Sequence, residues 1–235
     1  MEFRVEDRVF ASLPTVCFAV VVAFGLNNNQ KNDNVCHLLE DNSHFCQQPL
    51  ADINVKEYPA VACYRDAFRQ LNINPNKFMC SIEALLSRIA KGKGMPSINP
   101  AVDLGNAVSL KYKLPIGAHD IDTMNGEISV RYSQAGDYFI QFGCPENETV
   151  DENEIVYASG NSVRTRKWIW RQSEEGKITE QTKNIFYPID GFTDINKDTL
   201  LAAQQELADL LEQVFDCTVR LGWVDAENRT WSFKD

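Results

Sequence analysis

The stretch Ser97-Ile98-Asn99-Pro100-Ala101-Val102-Asp103-Leu104-Gly105-Asn106-Ala107-Val108 continues through Leu114-Pro115-Ile116-Gly117-Ala118-His119-Asp120-Ile121-Asp122 into Gly126-Glu127-Ile128-Ser129-Val130-Arg131. Its first part reads as a helix opened by Pro100, whose missing N–H costs nothing at the first helical position, and running to about residue 112. Its last part changes period. Glu127 to Tyr132 alternates apolar and polar, Ser133-Gln134-Ala135-Gly136 turns, and Asp137 to Phe142 gives a second strand. A helix thus feeds directly into strands.

Toward the N-terminus, Val61, Tyr64, Ala67, Phe68 and Leu71 recur at helical spacing over 57 to 71, and Ile82, Leu85, Leu86 and Ile89 predict a second helix over 80 to 91. Further back, the Val-rich run from 13 to 24 is too short to cross a membrane and reads as a strand buried on both faces. Residues 27 to 54, rich in Asn, Asp and Gln, are expected as loop with at most one short helix. Toward the C-terminus, 154 to 158, 166 to 171 and 184 to 187 read as further strands. An amphipathic helix over 198 to 215 and a strand from 217 to 224 follow. Helices and strands interleave without a regular βαβ beat, so the expected class is α+β, a mixed or antiparallel sheet flanked by helices. The expected organisation is a single domain over 1–235. It comprises an N-terminal buried strand within 1–26, a polar insertion at 27–55, a core at 56–192, and a C-terminal helix and strand at 193–235.

The chain has 235 residues, 44% of them hydrophobic, enough for a substantial core. A formal net charge of -10 argues against a general nucleic-acid binder, because phosphate contacts need lysine and arginine. The basic residues nevertheless gather at 63 to 95 and 161 to 173. Seven cysteines without CxxC spacing suit a reducing compartment, and the expected location is the cytoplasm, with no membrane contact. Cys36, His37, His44 and Cys46 are all zinc-ligand types, but their spacing fits no familiar zinc module, and no metal is expected.

Three local patterns carry chemistry. Asp103 and Asn106 lie three apart on one helix face, and the Asn106 amide suits either an aminoacyl group or a helix-to-sheet hydrogen bond. His119 beside Asp120 and Asp122 offers an imidazole–carboxylate pair able to activate water, while either carboxylate also suits bonding of turn backbone. In Arg166-Lys167-Trp168-Ile169-Trp170-Arg171, strand alternation puts Arg166, Trp168 and Trp170 on one face. That face reads either as a stacking surface for a ring with a nearby carboxylate or phosphate, or as core with arginines at its rim.

Taken together, the block from 97 to 139 resembles the tRNA-editing domain, the combined third and fourth domain, of the phenylalanyl-tRNA synthetase beta subunit. The resemblance extends over about 60 to 192. It implies that family's fold and a pocket that accepts the 3′ end of tRNA carrying a wrong amino acid, tyrosine in place of phenylalanine, whose ester a positioned water hydrolyses. It implies no cofactor. Asn106 keeps the family's asparagine. Gly105 stands where the family has threonine, Gly117 where it has histidine, and Pro188 where it has the glutamate that recognises the tyrosine hydroxyl. Losing that carboxylate argues against tyrosine specificity, and two glycines imply a wider pocket. Nothing resembles the class II aminoacylation motifs, so the resemblance implies a freestanding relative that does not charge tRNA. On this reading Asn106 and His119 are catalytic. Gly105, Gly117, Arg131, Arg166, Trp168 and Trp170 bind substrate. The partner is the aminoacylated end of tRNA or a small amino-acid-like ligand, and not DNA. The alternative is a non-catalytic RNA- or amino-acid-binding protein of the same descent.

Overall fold

The computed structural model describes every residue except 51, 52, 145, 234 and 235. In chain order the N-terminal elements are β1 (Glu2–Val5), α1 (Asp7–Ser12), β2 (Val16–Phe24), α2 (Asp33–Leu50), α3 (Pro59–Gln70), α4 (Ser81–Ala90) and α5 (Pro100–Tyr112). The strands β3 (His119–Asp120), β4 (Ile128–Tyr132), β5 (Tyr138–Ile140), β6 (Asn147–Thr149), β7 (Ile155–Ser159), β8 (Ser162–Arg166), β9 (Arg171–Gln172) and β10 (Asn184–Phe192) follow. The chain closes with α6 (Lys197–Phe215), β11 (Thr218–Val224) and β12 (Thr230–Ser232).

These strands form two sheets. One runs β11-β2-β10-β3 and is antiparallel throughout; the other runs β12-β1-β4-β7-β8-β5-β6, with β9 paired to β8. The run read as a doubly buried strand is β2, and period-2 alternation splits its side chains between two cores. Cys17, Ala19, Val21 and Ala23 pack under α5 and α6 with Leu104, Val108, Leu200 and Leu207. Phe18, Val20 and Val22 face the larger sheet, with Phe3, Val130, Tyr157 and Phe186. The layers are therefore helices, the four-stranded sheet, and the larger sheet, with β10 in the middle.

Two expectations from sequence are corrected. Residues 27 to 54 are not chiefly loop: α2 spans 18 residues, opened by the Asn32 side chain accepting from Val35 N–H at 3.2 Å. Its buried stripe of Val35, Leu39, Ser43, Cys46 and Leu50 includes Ser43, whose hydroxyl donates back to the Leu39 carbonyl at 2.6 Å, while α2 docks on α5 partly through hydrogen bonds. Asn42 Nδ2 donates to the Ala107 carbonyl at 2.9 Å, and Cys46 Sγ donates to the Leu110 carbonyl at 3.2 Å. That places Cys46 away from Cys36 and His44, which line a groove beside α4, and no metal-ligating group of three His, Cys, Asp or Glu exists among the described residues. Second, 166 to 171 is not a strand. Lys167 and Trp168 adopt left-handed φ values of 47° and 64°, which break the β8 ladder and turn the chain back into β9. The face shared by Arg166, Trp168 and Trp170 consequently does not form.

Candidate functional site

The N-terminus of α5 is held by the residues of the opening motif. Asn99 caps the helix, its side chain accepting from Val102 N–H at 3.1 Å, and Asp103 accepts from Ile98 N–H at 2.8 Å and Ser97 Oγ at 2.5 Å. Asn28, just past β2, accepts from Ala101 N–H at 2.9 Å and donates to Asn99 Oδ1 and to the Thr179 carbonyl. This network ties the helix start to the 177–180 loop. Asp103 is thereby structural.

Between that helix, that loop and the 116–118 segment lies a cleft of about 570 Å³. Val102, Gly105 and Asn106 line it at i, i+3 and i+4, one helical face. Gly105 lets α5 lie close to β10: a Cβ there would meet the Tyr187 ring at 3.4 Å. Asn106 is half-buried, and neither end of its amide has a hydrogen-bond partner among the described residues. The rim carries two apolar side chains, Ile98 at 60% and Phe142 at 49% exposure. Its charged lining is Lys177, paired with Glu174, and Glu180. The lining therefore offers no concentration of positive charge.

Gly117 forms the opposite wall. Its N–H donates to the Pro188 carbonyl at 2.9 Å, and a Cβ would stand 3.1 Å from Pro188 Cγ and 3.4 Å from His119 Nε2. The two positions matched to the family's histidine and glutamate are thus neighbours, and neither bears a titratable side chain here. Ile116, Gly117 and Gln172 are shared with a second, smaller cavity of about 90 Å³, walled by His119, Tyr157, Trp168, Trp170, Pro188 and Asp190.

His119 lies in that cavity, not in the cleft with Asn106. It is 1% exposed, stacks on Tyr157 at 5.7 Å and leaves Nδ1 without a partner. Burial, reinforced by the Arg164 cation, lowers its pKa to about 3, so the ring is neutral. Asp120 does not orient it: its oxygens accept from Asp122 N–H at 2.9 Å and Thr182 Oγ1 at 2.6 Å. Asp122 accepts from the Asn184 amide.

The remaining sequence-predicted residues scatter. Trp168 is buried among Tyr64, Phe68 and Phe192, with only its edge at the cavity, and Trp170 lies against Phe78 and the Arg171 guanidinium. Arg166 lines neither space; it is spent on Glu154, with Nη2 at 2.9 Å and Nε at 3.1 Å from the carboxylate. Arg131 makes a two-pronged pair with Asp137 at 2.6 and 2.8 Å and caps the Tyr132 and Gly160 carbonyls.

Sequence reasoning missed Asp190. It is 2% exposed, its Oδ1 accepts from Tyr157 OH and Trp168 Nε1, both at 2.7 Å, and burial raises its pKa to about 7 despite those two donors. The signal was present: β10 reads NIFYPIDGF, and a lone acid within a strand buried on both faces is costly unless something holds it.

The architecture has a known counterpart. An N-terminal fragment of the phenylalanyl-tRNA synthetase beta subunit from Pyrococcus horikoshii superposes with a TM-score of 0.51 at 12% identity, over 93% of this chain and 50% of that one. At that identity the likeness is one of fold. Among curated proteins, the phenylalanine–tRNA ligase beta subunit of Legionella pneumophila (strain Lens) is 29% identical over 102 residues, 43% of this chain and 12% of that protein. That of Idiomarina loihiensis is 32% identical over 95 residues, 40% of this chain and 11% of that protein. The chain thus corresponds to a small part of these relatives. A family model described as the B3/4 domain matches residues 63–216. This chain belongs to the B3/4 domain family.

Proposed function

We propose that this protein hydrolyses mischarged aminoacyl-tRNA in trans, taking the aminoacylated 3′ end into the cleft beside Asn106. The observation that carries the reading is the unpartnered Asn106 amide in an accessible cleft of about 570 Å³. Its NH₂ group donates to the ester carbonyl and to the oxyanion that forms when water adds to the carbonyl carbon. Collapse of that intermediate breaks the bond to the ribose oxygen, which leaves as a hydroxyl carrying the proton that the attacking water gives up. The exposed Ile98 and Phe142 give the terminal base an apolar rim. An ester is activated enough for positioning to suffice, and with His119 set behind Gly117 the substrate's neighbouring hydroxyl orients the water.

A second reading, binding without turnover, is favoured by the neutral, buried state of His119 and by the lack of positive charge in the cleft lining. Both readings place the ligand against Asn106. The experiment is a titration with 3′-aminoacylamino adenosine analogues, which cannot be hydrolysed, observing the Asn106 side-chain amide by NMR. The expected result is a saturable shift of that amide and loss of binding in Asn106→Ala. Binding that leaves the amide unmoved and survives the substitution would remove both readings.

A further inference from the structure

The cavity behind Gly117 borders a buried carboxyl that no lysine or arginine among the described residues pairs with. Both protein donors to Asp190, Tyr157 OH and Trp168 Nε1, fall on Oδ1. Oδ2 accepts no hydrogen bond among the described residues. Yet the side-chain atoms buried without a partner are Glu83 Oε2, His119 Nδ1 and Arg164 Nε, so Oδ2 retains accessible surface, and the opening beside it is the cavity.

No described lysine or arginine pairs with Asp190, and Arg164 acts on His119 instead. The titratable groups around it are Tyr157, Tyr64, Cys17 and His119, contributed by β7, α3, β2 and β3. Burial pushes the two phenols up and the Cys17 thiol up to about 12, and keeps the imidazole neutral. Tyr157 and Trp168 reach the carboxyl through their OH and Nε1 edges, and with Trp170 they line the cavity. The volume, about 90 Å³, is roughly that of three waters at about 30 Å³ each, enough for an ammonium head with a carbon or two and too little for a whole amino acid.

We propose that this cavity binds a small protonated amine, with Asp190 Oδ2 as its counter-ion and Tyr157, Trp168 and Trp170 as its walls. The amine belongs to an amino-acid-like ligand whose remainder sits in the cleft and which reaches the cavity past Gly117. Either its α-ammonium or a side-chain ammonium supplies the charge. The ligand's seat in the cleft rests on the function proposed above; the charge preference of the cavity does not.

The test is calorimetric titration of the full chain near neutral pH with four probes. Butylammonium puts its ammonium and first carbons in the cavity, its last carbons trailing past Gly117, and carries no group for Asn106 to bind. Nα-acetyl-lysinamide carries only a side-chain ammonium, norleucinamide only an α-ammonium, and Nα-acetyl-norleucinamide no charge. Butylammonium and one of the two charged amides should bind at least about tenfold more tightly than the uncharged one. Which amide wins identifies the source. Asp190→Asn, which keeps an oxygen for Tyr157 and Trp168, should abolish the preference. The unsubstituted protein gives an independent readout: butylammonium affinity should climb with pH and level off above about 7, once the carboxyl is ionised. Equal binding of the uncharged probe, a preference that persists in Asp190→Asn, or a flat pH profile would each overturn the proposal. Butylammonium binding that obeys these rules while Asn106→Ala leaves aminoacyl-adenosine binding intact would refute the cleft reading alone.

Discussion

Asp190→Asn should change how stability depends on pH in a direction opposite to that of most carboxylates. Burial raises this carboxyl from 3.8 to about 7, so between those values the folded chain holds a proton that the unfolded chain has lost. Stability then falls by about 1.4 kcal/mol per pH unit across the window, about 4 kcal/mol in all, and the penalty is complete above about pH 7. His119 runs the other way. Lowered from 6.5 to about 3, it is neutral in the fold while the unfolded chain gains a proton, so its contribution is full above 6.5 and is lost as pH falls toward 3. The two slopes nearly cancel in the native protein between about pH 4 and pH 6.5. Asparagine retains the acceptor for Tyr157 and Trp168 and removes only the titration. Urea unfolding of both proteins at steps from about pH 4 to pH 8 should show the variant gaining on the native chain by about 1.4 kcal/mol per unit, levelling off near pH 7. His119→Gln should show the reverse slope. A difference between Asp190→Asn and the native protein that stays flat within about 0.5 kcal/mol would refute the burial argument.

Other parts of the fold give their own expectations. Arg65 and Glu83, 4% and 1% exposed and 2.6 Å apart, join α3 to α4; Glu83→Ala should cost about 3–5 kcal/mol in chemical denaturation by stranding the guanidinium. Asn28→Ala removes the acceptor for Ala101 N–H and should cost about 1–3 kcal/mol, with faster hydrogen exchange confined to the first turn of α5. Gly117→Val places a branched side chain 3.1 Å from Pro188 Cγ at the passage, and calorimetry should show butylammonium affinity reduced at least about tenfold with the fold retained in circular dichroism. Arg166→Ala, in contrast, should leave ligand affinity unchanged, because the side chain lines neither space and is held by Glu154.

The parts of this structure that sequence disclosed are those where one rule dominates locally. Pro100 after Asn99 gave α5 its start, and the unbroken run through Val16–Phe24 gave a strand that needed cover on both faces. α2 stayed hidden because its buried stripe includes Ser43 and because Asn42 and Cys46 meet α5 through backbone carbonyls. Such contacts interrupt the apolar periodicity of Val35, Leu39, Cys46 and Leu50. The 166–171 string misled because alternation assumes extended backbone, and two consecutive left-handed residues are a tertiary outcome, fixed where Trp168 turns inward to reach Asp190. The place of Asn106 on one face of α5 was legible from its helical spacing. The split between cleft and cavity was not. It depends on Gly117 lying against Pro188, a contact between segments 71 residues apart in the chain.

The central claim is that the cleft at Asn106 turns over an aminoacyl ester. The direct measurement is deacylation of a bulk tRNA pool, charged separately with each amino acid, by the native chain and by Asn106→Ala. The account predicts hydrolysis of one or a few esters above the buffer rate, lost in the variant. Decay of every ester at the buffer rate, or hydrolysis that Asn106→Ala leaves untouched, would contradict it.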